Sequence, residues 1–256
     1  MQDKHFAIIY DFDETLTANS SLDYTIFPLF NIKPAEFWRT VDKETFKNNA
    51  DWVLVFMRLV LKMAYEKGIK ITEKTFHQLA PKIVFAKGIP AYFNNINRFY
   101  NKNFKAGSLS HYIVSGNLRE LVKSSVVAKY MDAVFGSGYH YENGIATFPA
   151  ISVNELSKTH FIYMINNGKA GQNKRKTDFK NMIYIGDGIT DVPSMVTVKS
   201  NGGNSIAVYN SKKDFKTCKE LMKAGSVNYI AAADYSETSG LVKIIKKIIK
   251  GRCLDS

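Results

Sequence analysis

Phe6-Ala7-Ile8-Ile9-Tyr10-Asp11-Phe12-Asp13-Glu14-Thr15-Leu16-Thr17 is the stretch whose reading decides the fold. Its first five residues are apolar or aromatic without interruption, which describes a strand buried on both faces, as the strands of a parallel sheet are. The chain then turns acidic, and two carboxylates stand two residues apart where open α/β sheets place their ligands. Like charges that close repel unless a cation or a shared proton relieves them. An isolated D-x-D-x-T could be a turn made of ordinary turn residues, so the rest of the chain must decide.

Working outward, Pro34 to Phe104 is helical in pattern and rich in aromatic residues, with no strand-like alternation. Asp51 is placed to cap a helix over Trp52 to Lys67 that Gly68 ends, and Thr72 to cap another over Thr75 to Leu79. Gly88 and Pro90 open a third, from Ala91 to about Phe104. Beyond this block strands and helices alternate. Strands are expected at Ser110–Val114, Met182–Ile185, Ile206–Tyr209 and Asn228–Ala231. Helices are expected at Leu118–Lys129, Ser157–Asn166, Lys212–Lys223 and Leu241–Lys250. Asn143-Gly144 between Tyr139–Tyr141 and Ile145–Phe148 signals a hairpin. The expected class is α/β, a doubly wound parallel sheet carrying an inserted α-helical cap domain. Residues 1–18 and 106–256 form the expected core and 19–105 the cap.

Three expected strands end in polar functional residues: Asp11 and Asp13 after the first, Ser115-Gly116-Asn117 after the second, Asp187 and Asp191 after the third. Parallel strands deliver their carboxyl ends to one edge, so the three tips can meet in one cleft. Lys158 opens the helix that precedes the third tip, although Lys169 or Lys180 could serve instead.

In these residues the chain resembles the haloacid dehalogenase superfamily, and within it phosphatases of the phosphoserine phosphatase type. The four motifs stand in order as Asp11/Asp13/Thr15, Ser115, Lys158 and Asp187/Asp191, separated by 104, 43, 29 and 4 residues. The resemblance implies a Mg2+-dependent phosphatase that hydrolyses a small phosphate monoester through an aspartyl-phosphate. Asp11 would be the nucleophile, Asp13 the general acid and then base, and Thr15 and Thr17 supports of the loop. Ser115, Gly116, Asn117 and Lys158 would hold the phosphoryl group. Asp11, the backbone carbonyl of Asp13, Asp187 and Asp191 would hold the metal. Phosphoserine phosphatases carry a glutamate nine residues after the nucleophile to hold the substrate ammonium, and this chain has Ser20 there. Two rival readings remain: phosphoryl transfer to an acceptor other than water, and a non-catalytic nucleic-acid or partner-binding module.

Composition narrows the partners. The 256 residues carry a formal net charge of +12, with 45% hydrophobic and 23% charged residues, as a packed enzyme-sized fold does. A positive net charge favours anionic ligands. Lys169, Lys174, Arg175, Lys176 and Lys180 share one loop, and Lys243, Lys246, Lys247 and Lys250 lie opposite the apolar stripe of an amphipathic helix. Without aromatic interleaving both clusters read as solvated faces, which argues against nucleic acid. Cys218 and Cys253 are too few for a disulfide framework and are expected to be reduced. None of the five histidines stands at zinc spacing from another ligand. No stretch approaches the roughly 20 apolar residues of a membrane span, and the amino terminus lacks a signal core, so a cytoplasmic location is expected.

Overall fold

The computed structural model describes residues 5–104, 107–171 and 175–254. Expectations for Lys174, for the Cys253 side chain and for a boundary at 105/106 fall outside these residues. Strand β1 (His5–Tyr10) is followed by helices α1 (Ser21–Tyr24), α2 (Ile26–Phe30), α3 (Pro34–Asn48), α4 (Trp52–Glu66), α5 (Glu73–Leu79) and α6 (Ala91–Asn103). Then come β2 (Ser108–Leu118), α7 (Arg119–Lys123), β3 (Ala133–Glu142), β4 (Ile145–Ile151) and α8 (Ser157–Asn166). The chain ends with β5 (Met182–Gly186), α9 (Val192–Ser200), β6 (Asn204–Tyr209), α10 (Lys212–Lys223), β7 (Tyr229–Ala232) and α11 (Gly240–Leu254). The strands form one sheet in the order β4-β3-β2-β1-β5-β6-β7. All its pairings are parallel except that of β4 with β3.

Strand β1 is central and buried throughout. Because successive side chains point to opposite faces, Phe6, Ile8 and Tyr10 join one core and Ala7 and Ile9 the other. Helix α6 covers the first face: Tyr92 and Phe93 pack on Tyr10, and Tyr100 on Phe6. On the second face Ile162 and Ile165 of α8, Met195 and Val198 of α9 and Cys218 and Leu221 of α10 share the core of Ala7 and Ile9. Helices on both faces of a parallel sheet make the doubly wound architecture expected from the sequence.

The second strand runs further than its pattern predicts, and the helix after it is shorter. β2 continues to Leu118, its register against β3 shifting between Val114 and Leu118, so Ser115-Gly116-Asn117 lie in extended chain. The helix expected over Leu118–Lys129 is one turn, Arg119–Lys123. The hydroxyls of Ser124 and Ser125 donate to the carbonyls of Glu120 and Val122, an alternative to helical bonding, and the β-branched pair Val126-Val127 follows. Helix α9 was absent from the sequence reading because Val192-Pro193 and a β-branched run hide it; Pro193 sits in its tolerated first turn.

Helices α1 to α5 are inserted between β1 and α6, over the carboxyl edge of the sheet. The outgoing and returning chains pair where they cross: Thr17 bridges Phe85, the Ala18 amide donates to the Val84 carbonyl at 2.9 Å, and Ala86 donates to Leu16 at 2.9 Å. The β3–β4 hairpin, turned by Asn143 and Gly144 at positive φ as Asn-Gly turns are, rises to meet the insert. The Tyr139 hydroxyl donates to the Met57 carbonyl, and the Ala146 amide to Ile71.

Candidate active site

One cavity of about 280 Å³ opens between the sheet edge and the inserted helices. Asp11, Asp13, Ser115, Gly116, Asn117, Lys158 and Asp187 all line it. Asp191, fully buried, stands behind them. Asp11, Asp13, Ser115, Gly116, Asn117, Lys158, Asp187 and Asp191 are therefore brought to one place, by the convergence of three parallel strand ends and the first turn of α8.

The centre is a lysine between two acids. Lys158, 3% exposed, donates to Asp11 Oδ1 at 2.8 Å and to Asp191 Oδ1 at 2.7 Å. The Tyr184 hydroxyl, from β5, donates to the same Asp191 oxygen at 2.7 Å. Burial alone would lower the Lys158 pKa, but the Asp11 and Asp191 carboxylates hold it well above the ordinary lysine range. Lys169 is exposed, and Lys180 is held at 3.9 Å from Asp178, so neither replaces it.

The acids outnumber this cation. Burial pushes Asp11 up to about 7, with Asp191 and Asp13 adding repulsion and Lys158 opposing it. Asp187 is raised well above the carboxylate range, first by burial and then by Asp191, Asp11 and Glu14. Oxygens of Asp11, Asp187 and Asp191 lie within 4.8 Å of one another, and the buried Asp191 Oδ2 has no hydrogen-bond partner among the described residues. A hard divalent cation binds oxygen ligands and relieves their mutual repulsion; the residues present fit magnesium.

Asp13 is turned aside. Its Oδ1 accepts from the Ser21 amide at 2.6 Å and its Oδ2 from the Asn117 side-chain amide at 2.6 Å. Burial raises its pKa, and the Ser21 and Asn117 hydrogen bonds restrain the rise. Glu14 follows in the left-handed region at φ 55°, its amide donating to Thr17 Oγ1. Thr15 Oγ1 donates to Asp187 Oδ1 at 3.3 Å. Both threonines thus brace the loop, as expected. Ser115 accepts from the Asn117 amide at 3.2 Å, and the Gly116 carbonyl accepts from Ser137 Oγ at 2.8 Å, which fixes the extended end of β2 at the cavity floor.

The far wall was not read from the sequence. Trp38 of α3 and Trp52 and Phe56 of α4 line it, with Leu22, Ser20, Glu14 and Glu155. In an amphipathic helix such aromatics read as core; only the cavity shows that they also face a ligand space. Asp51 holds this wall to the sheet, capping α4 through Val53 and Leu54 while accepting from Ser152 Oγ at 3.1 Å and Asn154 Nδ2 at 2.6 Å. The basic loop lies elsewhere: Arg175 donates to Ser108 Oγ at the start of β2, at the opposite end of the strand from Ser115.

A central parallel strand ending in paired acids, a lysine bridging two carboxylates, and a helical insert over the strand ends together define a hydrolase architecture. The chain belongs to the haloacid dehalogenase-like hydrolases, whose family model matches residues 8–195. An uncharacterized protein of Borreliella burgdorferi is 25% identical, covering 94% of this chain and 96% of its own. Among solved structures, a haloacid dehalogenase family hydrolase of Salmonella enterica serovar Typhi superposes with TM-score 0.63 at 16% identity, over 96% of this chain and 72% of that one. A phosphoserine phosphatase, determined as a phospho-aspartyl intermediate analogue, superposes with TM-score 0.60 at 17% identity, over 95% of this chain and 99% of that one. These likenesses establish a shared fold. Among the described residues no helix is long and apolar enough to cross a membrane.

Proposed function

We propose that the protein is a magnesium-dependent phosphatase that hydrolyses a small phosphate monoester through an aspartyl-phosphate on Asp11. What carries the reading is the buried set Asp11–Lys158–Asp191, in which one Asp11 oxygen is held by the ammonium and the carboxylate faces a cavity walled for a small molecule. In the first step an Asp11 oxygen bonds to phosphorus as the ester P–O bond breaks, and Asp13 gives its proton to the leaving alkoxide. In the second, water attacks phosphorus and gives a proton back to Asp13; the Asp11–phosphorus bond breaks and inorganic phosphate leaves. Burial raises the Asp13 pKa, the direction that favours a proton donor.

Ser115, the backbone about Gly116, Asn117 and Lys158 hold the non-bridging oxygens as charge develops on them. Asp11 and Asp187, with Asp191 and the Asp13 carbonyl, are the residues for magnesium. The ion would offset repulsion between Asp11 and the phosphate dianion and orient the displacement. We also propose that α1 to α5 act as the cap. Helix α6, which packs on β1 and β2, goes with the core, and residues 107–254 complete it.

The test is turnover of an aryl phosphate with and without magnesium. Asp11→Asn is expected to lower turnover by on the order of 10³-fold or more, and beryllium fluoride to be trapped on Asp11 in the wild type alone. Turnover indifferent to magnesium or to Asp11→Asn would refute the reading.

A further inference from the structure

Asn117 stands among the residues proposed to hold the phosphate, yet its side chain has no donor left for a phosphoryl oxygen. Resting on the phosphatase reading, we infer that this side chain is a positioning residue for Asp13: it aims the acid at the leaving oxygen and takes no part in binding the phosphate.

A count of donors comes first. A side-chain amide has two N–H donors and one acceptor oxygen. Asn117 Nδ2 donates to Asp13 Oδ2 and to Ser21 Oγ, both at 2.6 Å, and its Oδ1 accepts from the Leu118 amide at 2.5 Å. The reversed amide would set its oxygen against a carboxylate and its nitrogen against an N–H, so the network fixes the orientation. Its neighbours differ. Lys158 gives two of its three protons to Asp11 and Asp191 and keeps the third. Ser115 Oγ accepts from the Asn117 backbone amide at 3.2 Å, and among the described residues its own proton meets no acceptor. The phosphoryl oxygens therefore fall to Ser115, Lys158 and the backbone about Gly116. The part of Asn117 in that site narrows to its main chain, which orients Ser115.

The acid itself is held from two sides. Asp13 Oδ1 accepts from the Ser21 amide at 2.6 Å, a first-turn donor with no partner inside its helix. One hydrogen bond on each oxygen fixes the plane of the carboxyl group, and each oxygen keeps a lone pair for the proton that it hands over. Because Asn117 also donates to Ser21 Oγ, residues Asp13, Ser21 and Asn117 close a ring of hydrogen bonds. Hydrogen bonds to a carboxylate are the short, strong kind.

Rigidity completes the case. Asn117 is 5% exposed and precedes Leu118, which pairs with Ser137 of β3. A Cβ on Gly136 would stand 3.0 Å from the Asn117 carbonyl oxygen, so β3 comes hard against this backbone. The side-chain amide is carried by the sheet and passes the sheet's position to a carboxyl group that lies on a loop. Misplacing a catalytic group by about 1 Å can cost on the order of 10²-fold in rate, which is what such a brace prevents.

The experiment compares kcat/KM for 4-nitrophenyl phosphate, whose weakly basic leaving group needs little help from an acid, with that for phenyl phosphate, whose more basic leaving group needs it more. Asn117→Ala is expected to lower turnover of phenyl phosphate by about tenfold more than that of 4-nitrophenyl phosphate, and to leave inhibition by inorganic phosphate unchanged. Asn117→Leu, closer in shape, serves where the smaller side chain leaves the chain unfolded. Because the ratio of the two esters is taken within each variant, a partial loss of folded protein cancels. In an Asp13→Asn background, where the acid is gone, the same substitution is expected to leave the ratio where Asp13→Asn puts it. Equal losses on both esters with weaker inhibition by phosphate would mark a phosphate ligand and overturn the inference. A ratio that stays at the wild-type value, or that shifts equally with and without the Asp13 carboxyl, also overturns it. If turnover of 4-nitrophenyl phosphate still depends on Asp11, the phosphatase reading survives such a result; if the wild type turns over neither ester with magnesium, both fall.

Discussion

A Cβ on Gly186 would stand 2.3 Å from Asp191 Oδ2 and 2.6 Å from its carboxyl carbon. Asp191 cannot retreat, because its other oxygen is held by Lys158 and Tyr184. Gly186→Ala is thus expected to destabilise the fold by about 1–3 kcal/mol, the usual range for overpacking, and to weaken magnesium binding. Thermal unfolding and calorimetric titration read the two effects. At this scale the acids, Ser115 and Lys158 stood out because they match, in order, the motifs of the family the chain resembles, and the structure gathers them in and behind one cavity. Tyr184 was not: inside an apolar strand its ring reads as core, and only the structure shows its hydroxyl on Asp191. Trp52 and Glu155 were hidden for a similar reason, since they lie 103 residues apart and neither belongs to a motif.

Asp51 illustrates what an element can do beyond its own helix. Four groups donate to its carboxylate, two from the first turn of α4 and two from the loop before α8. Asp51→Ala is expected to cost about 1 kcal/mol for the cap and more for the two donors left without an acceptor. Thr72→Ala, which removes a cap whose bonds stay within its own turn, is expected to cost the cap alone; parallel melts distinguish them. Both caps were legible in the sequence, while the tie to the sheet was not, because nothing local records a contact 101 residues away. The β2–α6 junction adds a pH dependence. His111, buried on β2, bonds Tyr10 through Nδ1 at 3.0 Å and Asn97 through Nε2 at 2.9 Å, and burial pushes its pKa down to about 4. Above pH 6.5 both folded and unfolded chains hold it neutral. Between 6.5 and 4 the unfolded chain alone takes up the proton, so stability falls by up to about 3 kcal/mol as pH drops. Buried carboxylates with raised pKa values act in the opposite direction, so the measurement is the difference between wild type and His111→Gln in denaturant melts at pH 7 and pH 5. The variant is expected to be less stable at pH 7 and to lack this part of the slope.

At the scale of the molecule the parallel sheet, the helical insert and the meeting of the motifs were legible, because buried apolar strands followed by polar tips leave few topologies. The extension of β2, the shortness of α7 and the presence of α9 were not, since serine back-bonding and a proline-led first turn overrode the local pattern. The proposed metal has a global signature: a ligand bound only by the folded chain, at about 100 times its Kd, adds roughly 2.7 kcal/mol. For a chain of this size that corresponds to a rise in Tm of roughly 5–10 °C. Magnesium is expected to produce it in the wild type and not in Asp187→Asn, as a thermal-shift titration would show. The crossing at Thr17 and Phe85 has a further consequence. Two paired chains stand a strand spacing apart, about 4.8 Å, so everything between residues 18 and 84 begins and ends at practically one point. Lengthening such a loop costs the scaffold only a slowly growing entropy. The seam therefore lets evolution graft a different selector module onto an unaltered reaction centre, with the β3–β4 hairpin, α7 and the loop before α8 among the surfaces that must find new partners.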